Sequence, residues 1–193
     1  MNAIALDLNP IASLSPEAFA KLCAANPEAR LERSAQGELI VMAPTGGETG
    51  HRNLELGADL VLWNRQTNLG KAFDSSTGFV LPNGATRSPD LAWIALERWQ
   101  ALSPETRRGF VPLCPDLAVE LLSPSDSWTQ TQGKMQEYMA NGCRLGWLID
   151  PQSRRVAVYR PQQKPEVLTQ PPTLSGEEVL PGFELNLESL WGP

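Results

Sequence analysis

The chain has 193 residues, 41% of them hydrophobic and 20% charged, and its 22 acidic against 16 basic side chains leave a net charge of −6. Such a composition builds one substantial buried core and excludes a fibrous, disordered or low-complexity protein. The acidic balance argues against constitutive binding through non-specific phosphate contacts, unless a local basic patch or a bound divalent ion offsets it, and no apolar run approaches the ~20 residues of a membrane span.

The N-terminus, MNAIALDLNPIASLSPEAF, has neither a basic start nor a long apolar stretch, so no signal peptide is expected. Cys23, Cys114 and Cys143 are scattered, odd in number and without zinc spacing, which fits reduced thiols in a cytoplasmic protein. Ser15-Pro16-Glu17, followed by Ala18, Phe19, Leu22 and Cys23, predicts a short helix capped by Ser15 and ending near Asn26-Pro27. Residues 30–43 predict a β-hairpin turning at Ala35-Gln36-Gly37. Thr45 and Glu48 have capping-box spacing for a helix over about 48–67. Its expected core stripe is Leu54, Ala58, Val61 and Leu62, with Leu56 beside them, and Asn68-Leu69-Gly70 offers a glycine cap at its end.

Residues 71–81 predict one or two strands, Pro82-Asn83-Gly84 a turn, LAWIAL from Leu91 another strand, and 97–109 one or two helical turns. A helix over about 127–141 has Ser127 as its cap, Gln130 at the box distance and Asn141-Gly142 as its stop; Met135 and Met139, one turn apart, face the core. Residues 145–149 and 155–160 flank a short turn and therefore form an antiparallel pair, and the tail adds a strand or two with a short end helix. The expected fold is α/β, a single domain over 1–193 with a mixed central β-sheet flanked by helices; the first helix and hairpin occupy 1–43 and the main core about 44–193.

The stretch PDLAVELLSPSDS, from Pro115, carries the chemistry. Between Leu117 and Leu122 the only polar side chain is Glu120, in a run apolar enough to be buried on both faces of a sheet. An ionised carboxylate there costs several kcal/mol unless a cation or a charged hydrogen-bond partner answers it. Asp116 shares its strand and face but lies four residues away, roughly 13 Å, too far to share one ion; it is expected to cap a strand end or face solvent. Asp90 begins a separate strand, and if that strand is the neighbour the gap is only about 5 Å. Two carboxylates so close repel, so either one holds a proton or a hard cation such as Mg²⁺ lies between them, with the carbonyl of Leu121 as a third ligand. Lys134, about seven residues into the following helix, is placed to reach back toward Glu120, although a helix lysine commonly lies on a solvated face. His51, the only histidine, has no nucleophile motif beside it, and Thr45-Gly46-Gly47 lacks the Gly-Lys-Ser/Thr of a nucleotide loop.

The order Pro89-Asp90, a long gap, VELLSPSDS, then KMQEY and the apolar WLIDP resembles the Uma2 family (DUF820), of the PD-(D/E)xK restriction-endonuclease-like superfamily. The resemblance runs from about Ile40 to the C-terminus and takes in Pro44-Thr45-Gly46-Gly47 and Trp63-Asn64-Arg65-Gln66. It implies a restriction-endonuclease-like fold, a divalent cofactor (Mg²⁺ or Mn²⁺), DNA as substrate, Asp90 and Glu120 as metal ligands, and an accessory acid on the first core helix, for which Glu55 is the candidate with Glu48 behind it. The motif's lysine is missing: Leu122 stands two residues after Glu120, and Lys134 resembles a migrated replacement. The expected function is a divalent-metal-dependent DNA endonuclease with Asp90, Glu120 and Lys134 catalytic. The alternative is a weak or inactive relative kept as a DNA-binding or assembly module; a homodimer is expected as a possible form under either, without a membrane partner.

Overall fold

The computed structural model describes residues 3–8 and 14–191. In chain order its elements are β1 (Ala3–Leu6), α1 (Pro16–Ala25), β2 (Arg30–Arg33), β3 (Leu39–Met42), α2 (Gly47–Thr67), β4 (Gly70–Asp74), β5 (Phe79–Val80), β6 (Thr86–Arg87), β7 (Leu91–Ala95) and α3 (Leu96–Gln100). There follow β8 (Leu117–Leu121), α4 (Trp128–Ala140), β9 (Leu145–Asp150), β10 (Arg155–Tyr159), β11 (Glu166–Thr169), β12 (Thr173–Ser175) and β13 (Glu184–Asn186). A mixed six-stranded sheet in the order β11-β10-β9-β8-β7-β4 forms the centre. Only β8 and β9 are parallel, and the chain needs α4 to cross between them. A smaller antiparallel sheet, β1-β3-β2-β6-β5, stands beside it, and β12 pairs with β13.

Alternation along β8 divides the interior. Leu117, Val119 and Leu121 point to one face, where they meet Leu56 and Leu60 of α2, Trp93 and Trp147. Ala118 and Leu122 point to the other, against Met135 and Tyr138 of α4. Each of these large side chains contributes about 1.5–3 kcal/mol by leaving water, so both helices are held by their apolar faces more than by propensity. Gly146 lets α4 lie close on β9, since a Cβ there would come within 2.5 Å of the Met135 methyl. By the same alternation Glu120 projects to the α4 side.

Ser15 caps α1 by accepting from the Ala18 N–H, Ser127 caps α4, and the hairpin turns with Gly37 at φ +89°. Other expectations need correction. Helix α2 begins one residue later than the capping-box reading requires: Gly46 is its cap without a side-chain bond, and the Thr45 hydroxyl is buried without a partner. The apolar stripe is out of phase. Leu54 and Leu62 are 74% and 55% exposed, whereas Thr49, Leu56 and Leu60 face the sheet. Helix α2 carries apolar residues on two faces, and its spacing alone could not choose between them. Asn68, not Gly70, takes the left-handed position at its end (φ 55°), and Gly70 already begins β4. Of the two placements expected for Asp116, the structure has the strand-end one: it is fully buried, accepts the Ala95 N–H at the end of β7, and does not face solvent. Strand β1, which adds an edge to the small sheet, was not anticipated. No helix among the described residues is long and apolar enough to cross a membrane.

Candidate active site

The register of β7 on β8 pairs Leu91 with Val119, so the chain one step before β7 brings Asp90 to the end of β8 where Glu120 lies, and both acids line one cavity. Pro89 ends the preceding turn and lets Asp90 fold its carboxylate over the strand end, where Oδ2 accepts from the Leu121 N–H at 2.8 Å. Oδ1 accepts from the Asn53 amide of α2 at 3.3 Å. Beyond β8 the Ser-Pro-Ser-Asp-Ser loop closes on itself, with the Ser123 N–H donating to Asp126, and turns the chain into α4. Two turns along α4, Lys134 extends its stem inward and places Nζ 2.9 Å from Glu120 Oε1. Tyr138, one turn on, donates its hydroxyl to the same oxygen at 3.0 Å.

The small sheet supplies the other half. Lys134 Nζ also lies 3.0 Å from Oε1 of Glu32 on β2, which accepts the Ser88 N–H at 2.8 Å. Arg87 of β6 joins Glu32 Oε2, at 3.1 Å, to Glu137 of α4. Asp90 and Glu120 open into a cavity of about 510 Å³ between the two sheets, whose rim includes Arg30, Ser75, Ser123, Ser125 and Thr131.

Charge is unevenly matched. Four carboxylates (Glu32, Asp90, Glu120 and Glu137) meet two cations (Lys134 and Arg87), leaving two negative charges in excess when all are ionised. The excess falls on the pair facing the cavity. Burial raises the Glu120 carboxyl, Lys134 opposes the rise, and Asp90 and Glu32 add to it, so that it titrates at about 7 rather than 4.5. Burial likewise raises Asp90 against the pull of the Leu121 N–H and Lys134. Glu32 goes the other way: burial would raise it, but Lys134, Arg87 and the Ser88 N–H bring it below its ordinary value. Burial alone would lower Lys134, yet Glu120 and Glu32 more than reverse this and keep it an ammonium. Tyr138, raised well above 10 first by burial and then by Glu120, stays a neutral donor.

Among the described residues no three or more His, Cys, Asp or Glu side chains cluster as a metal cage. The donor set is instead two carboxylates on adjacent strands and the backbone of Leu121 at the cavity wall. All are hard oxygens, and they fit Mg²⁺ or Mn²⁺, ions that keep several waters and need only one or two carboxylates.

Of the residues singled out from the sequence, Asp90, Glu120, Leu121 and Lys134 come together. Glu55 does not join them: it lies on the exposed side of α2, 3.5 Å from His51, and Glu48 pairs with Arg52 at 3.8 Å. The physical reason is helix phase, since the face of α2 that meets the site presents Thr49 and Asn53. Leu122 packs into the core on the α4 side. Glu32, Arg87, Glu137 and Asn53 were not foreseen. Glu32 sits in a strand where an alternating acid normally reads as solvent-facing, and nothing near it in the chain signals that it is 2% exposed.

Comparison with known proteins adds three findings. The sequence profile of the Uma2 family, described as "Putative restriction endonuclease", matches residues 16–188, which extends the likeness upstream of Ile40 to include α1 and the hairpin. No curated protein matches the chain. Among solved structures, one described as "a putative nuclease belonging to DUF820 from Anabaena variabilis ATCC 29413" superposes with a TM-score of 0.76 at 24% identity, covering 92% of this chain and 97% of that one. At that identity the superposition speaks for a shared fold.

Proposed function

Because the chain belongs to the Uma2 family, we propose that it is a divalent-metal-dependent DNA endonuclease that hydrolyses phosphodiester bonds in the cavity between its two sheets. Asp90 and Glu120 are the ligands for Mg²⁺ or Mn²⁺, with the Leu121 carbonyl beside them. When bound, such an ion supplies Lewis acidity toward a phosphoryl oxygen. Lys134 takes the part of the lysine that Leu122 cannot supply: its ammonium, next to Glu120, orients the attacking water and stabilises charge that develops on the phosphorus oxygens. Tyr138 holds Glu120 Oε1 from behind and fixes the carboxylate rotamer. Arg30 and the hydroxyls of Ser123, Ser125 and Thr131 line the mouth as phosphate contacts. The contacts are few, in keeping with an acidic protein that does not clamp long duplexes.

The observation that carries this reading is the convergence of Lys134 on Glu120, at 2.9 Å, with Asp90 across the strand pair. Purified protein is expected to nick supercoiled plasmid with Mg²⁺ or Mn²⁺, to stop with chelator, and to lose the activity on Glu120→Gln. Nicking that survives that substitution overturns the assignment.

A second reading, a binding or assembly module with little activity, is favoured by one feature: Lys134 is held by two carboxylates instead of one. DNA shifted in a gel but left uncut with either metal would support it. Pairing of two copies belongs to the same proposal and is supported by Leu54 and Leu62, exposed on α2; sedimentation as a monomer would remove it. The three unpaired cysteines support a cytoplasmic setting.

A further inference from the structure

Glu32 is out of place on ordinary grounds. A buried acid in a small sheet costs several kcal/mol that an apolar residue would not, and one arginine would be enough to answer its charge. It has instead three partners: the Arg87 guanidinium of β6, the Ser88 N–H of the turn that follows β6, and the Lys134 ammonium of α4. Arg87 also grips Glu137, one turn from Lys134 on α4, so the Glu32 carboxylate is held from the small sheet and from the helix at once. It cannot swing away from Lys134 without giving up the other two bonds.

Lysine has a long stem with four rotatable bonds, and a single contact to Glu120 would leave its ammonium free to pivot. Two fixed carboxylates, one on each sheet, define its position. Glu120 is also the carboxylate that a divalent ion needs, and an ammonium and a dication attached to one carboxylate repel each other. We propose that Glu32 is a positioning residue for Lys134: it anchors the ammonium beside Glu120 and carries its countercharge when Glu120 is engaged by a divalent cation, so that lysine and cation are accommodated together. This rests on the assignment of Asp90 and Glu120 as ligands, and it makes the N-terminal hairpin part of the site.

The idea is tested with metal alone, without DNA. Titration calorimetry of Mn²⁺ into the full chain is expected to show affinity falling roughly tenfold or more in Glu32→Gln, the size of loss usual when a partner behind a ligand is removed. If the effect runs through the lysine, Lys134→Met restores affinity in the Glu32→Gln background, and Glu32→Gln then changes little relative to Lys134→Met alone. A loss of the same size in both backgrounds means that Glu32 acts as a distant charge or a packing element, and overturns the proposal. Unchanged affinity in Glu32→Gln also overturns it. Should Glu32→Gln fail to fold, Glu32→Asp keeps the charge but shortens its reach and is expected to weaken binding; affinity equal to that of the unaltered chain overturns the proposal as well. Absence of Mn²⁺ binding in the unaltered chain is a separate result, which removes the metal assignment itself and this inference with it.

Discussion

Asp90 and Asp116 stand in nearly the same local sequence, Ser-Pro-Asp-Leu-Ala and Cys-Pro-Asp-Leu-Ala, and each precedes a strand of the main sheet. Since β7 and β8 run antiparallel, the two acids lie at opposite ends of the pair. Asp116 is sealed in: Oδ2 accepts the Ala95 N–H at 2.8 Å, and Oδ1 lies 2.9 Å from Arg98 and 3.6 Å from Arg144, outside hydrogen-bond alignment, so those two contacts are Coulombic. Asp90 has one N–H and one amide, no guanidinium, and a second carboxylate for a neighbour. The same five-residue pattern thus gives a structural tie where positive charge is plentiful and an acid with little compensating charge where it is short. What separates the two is the charge carried in from distant elements.

The largest expected difference is in activity. Asp90→Asn or Glu120→Gln is expected to lower metal-supported nicking by roughly 10²-fold or more, while Asp116→Asn leaves the activity of the folded fraction nearly intact; equal losses at both ends would break the comparison. Stability should follow the opposite order. Asp116→Asn leaves two arginines facing a neutral group and is expected to cost about 2–3 kcal/mol, a figure trimmed because both arginines are partly in water, and read by calorimetry as a Tm lower by roughly 5–10 °C. Asp90→Asn should cost less than that.

The acid–base behaviour sharpens the contrast. Glu120 holds its proton up to about pH 7 in the folded chain and only to about 4.5 when unfolded, so between those values the folded state binds more protons. Stability therefore declines as pH rises through that window and levels off above it. Urea midpoints measured across it should show a decline that Glu120→Gln flattens; an unchanged slope in the variant would count against the unmatched charge. The smallest effect is expected for Arg144→Ala, a half-exposed partner at 3.6 Å, where a change beyond about 1 kcal/mol in chemical denaturation would mean that Asp116 depends on more than Arg98.

Much of the framework was legible in the chain because its signals are local. The apolar run of β8, the Ser15 and Ser127 caps and the short turn between β9 and β10 each declare an element within a few residues. Glu120 could be singled out because burial of its whole strand was readable, and Lys134 because helix rise limits where a side chain can reach. The rest depends on distance in sequence. Glu32 and Arg87 matter only once two sheets pack together, and no window around either contains the other. Phase was the second obstacle: Leu54 and Leu62 are as well spaced for a core as Leu56 and Leu60, and only the sheet beneath α2 distinguishes them. Glu55 followed the wrong phase, and Asn53, two residues earlier, is the one that touches Asp90.

The parallel pairing of β8 with β9 has a bearing on how the protein is made. Strand β8 cannot gain that neighbour until α4 has been threaded across, so a nascent chain cut short before Trp128 would carry both acids but neither the ammonium that restrains them nor the strand that completes their bed. Assembly of the two acids with Lys134 is thus tied to synthesis through α4 and β9, and shorter products emerging from the ribosome lack that arrangement.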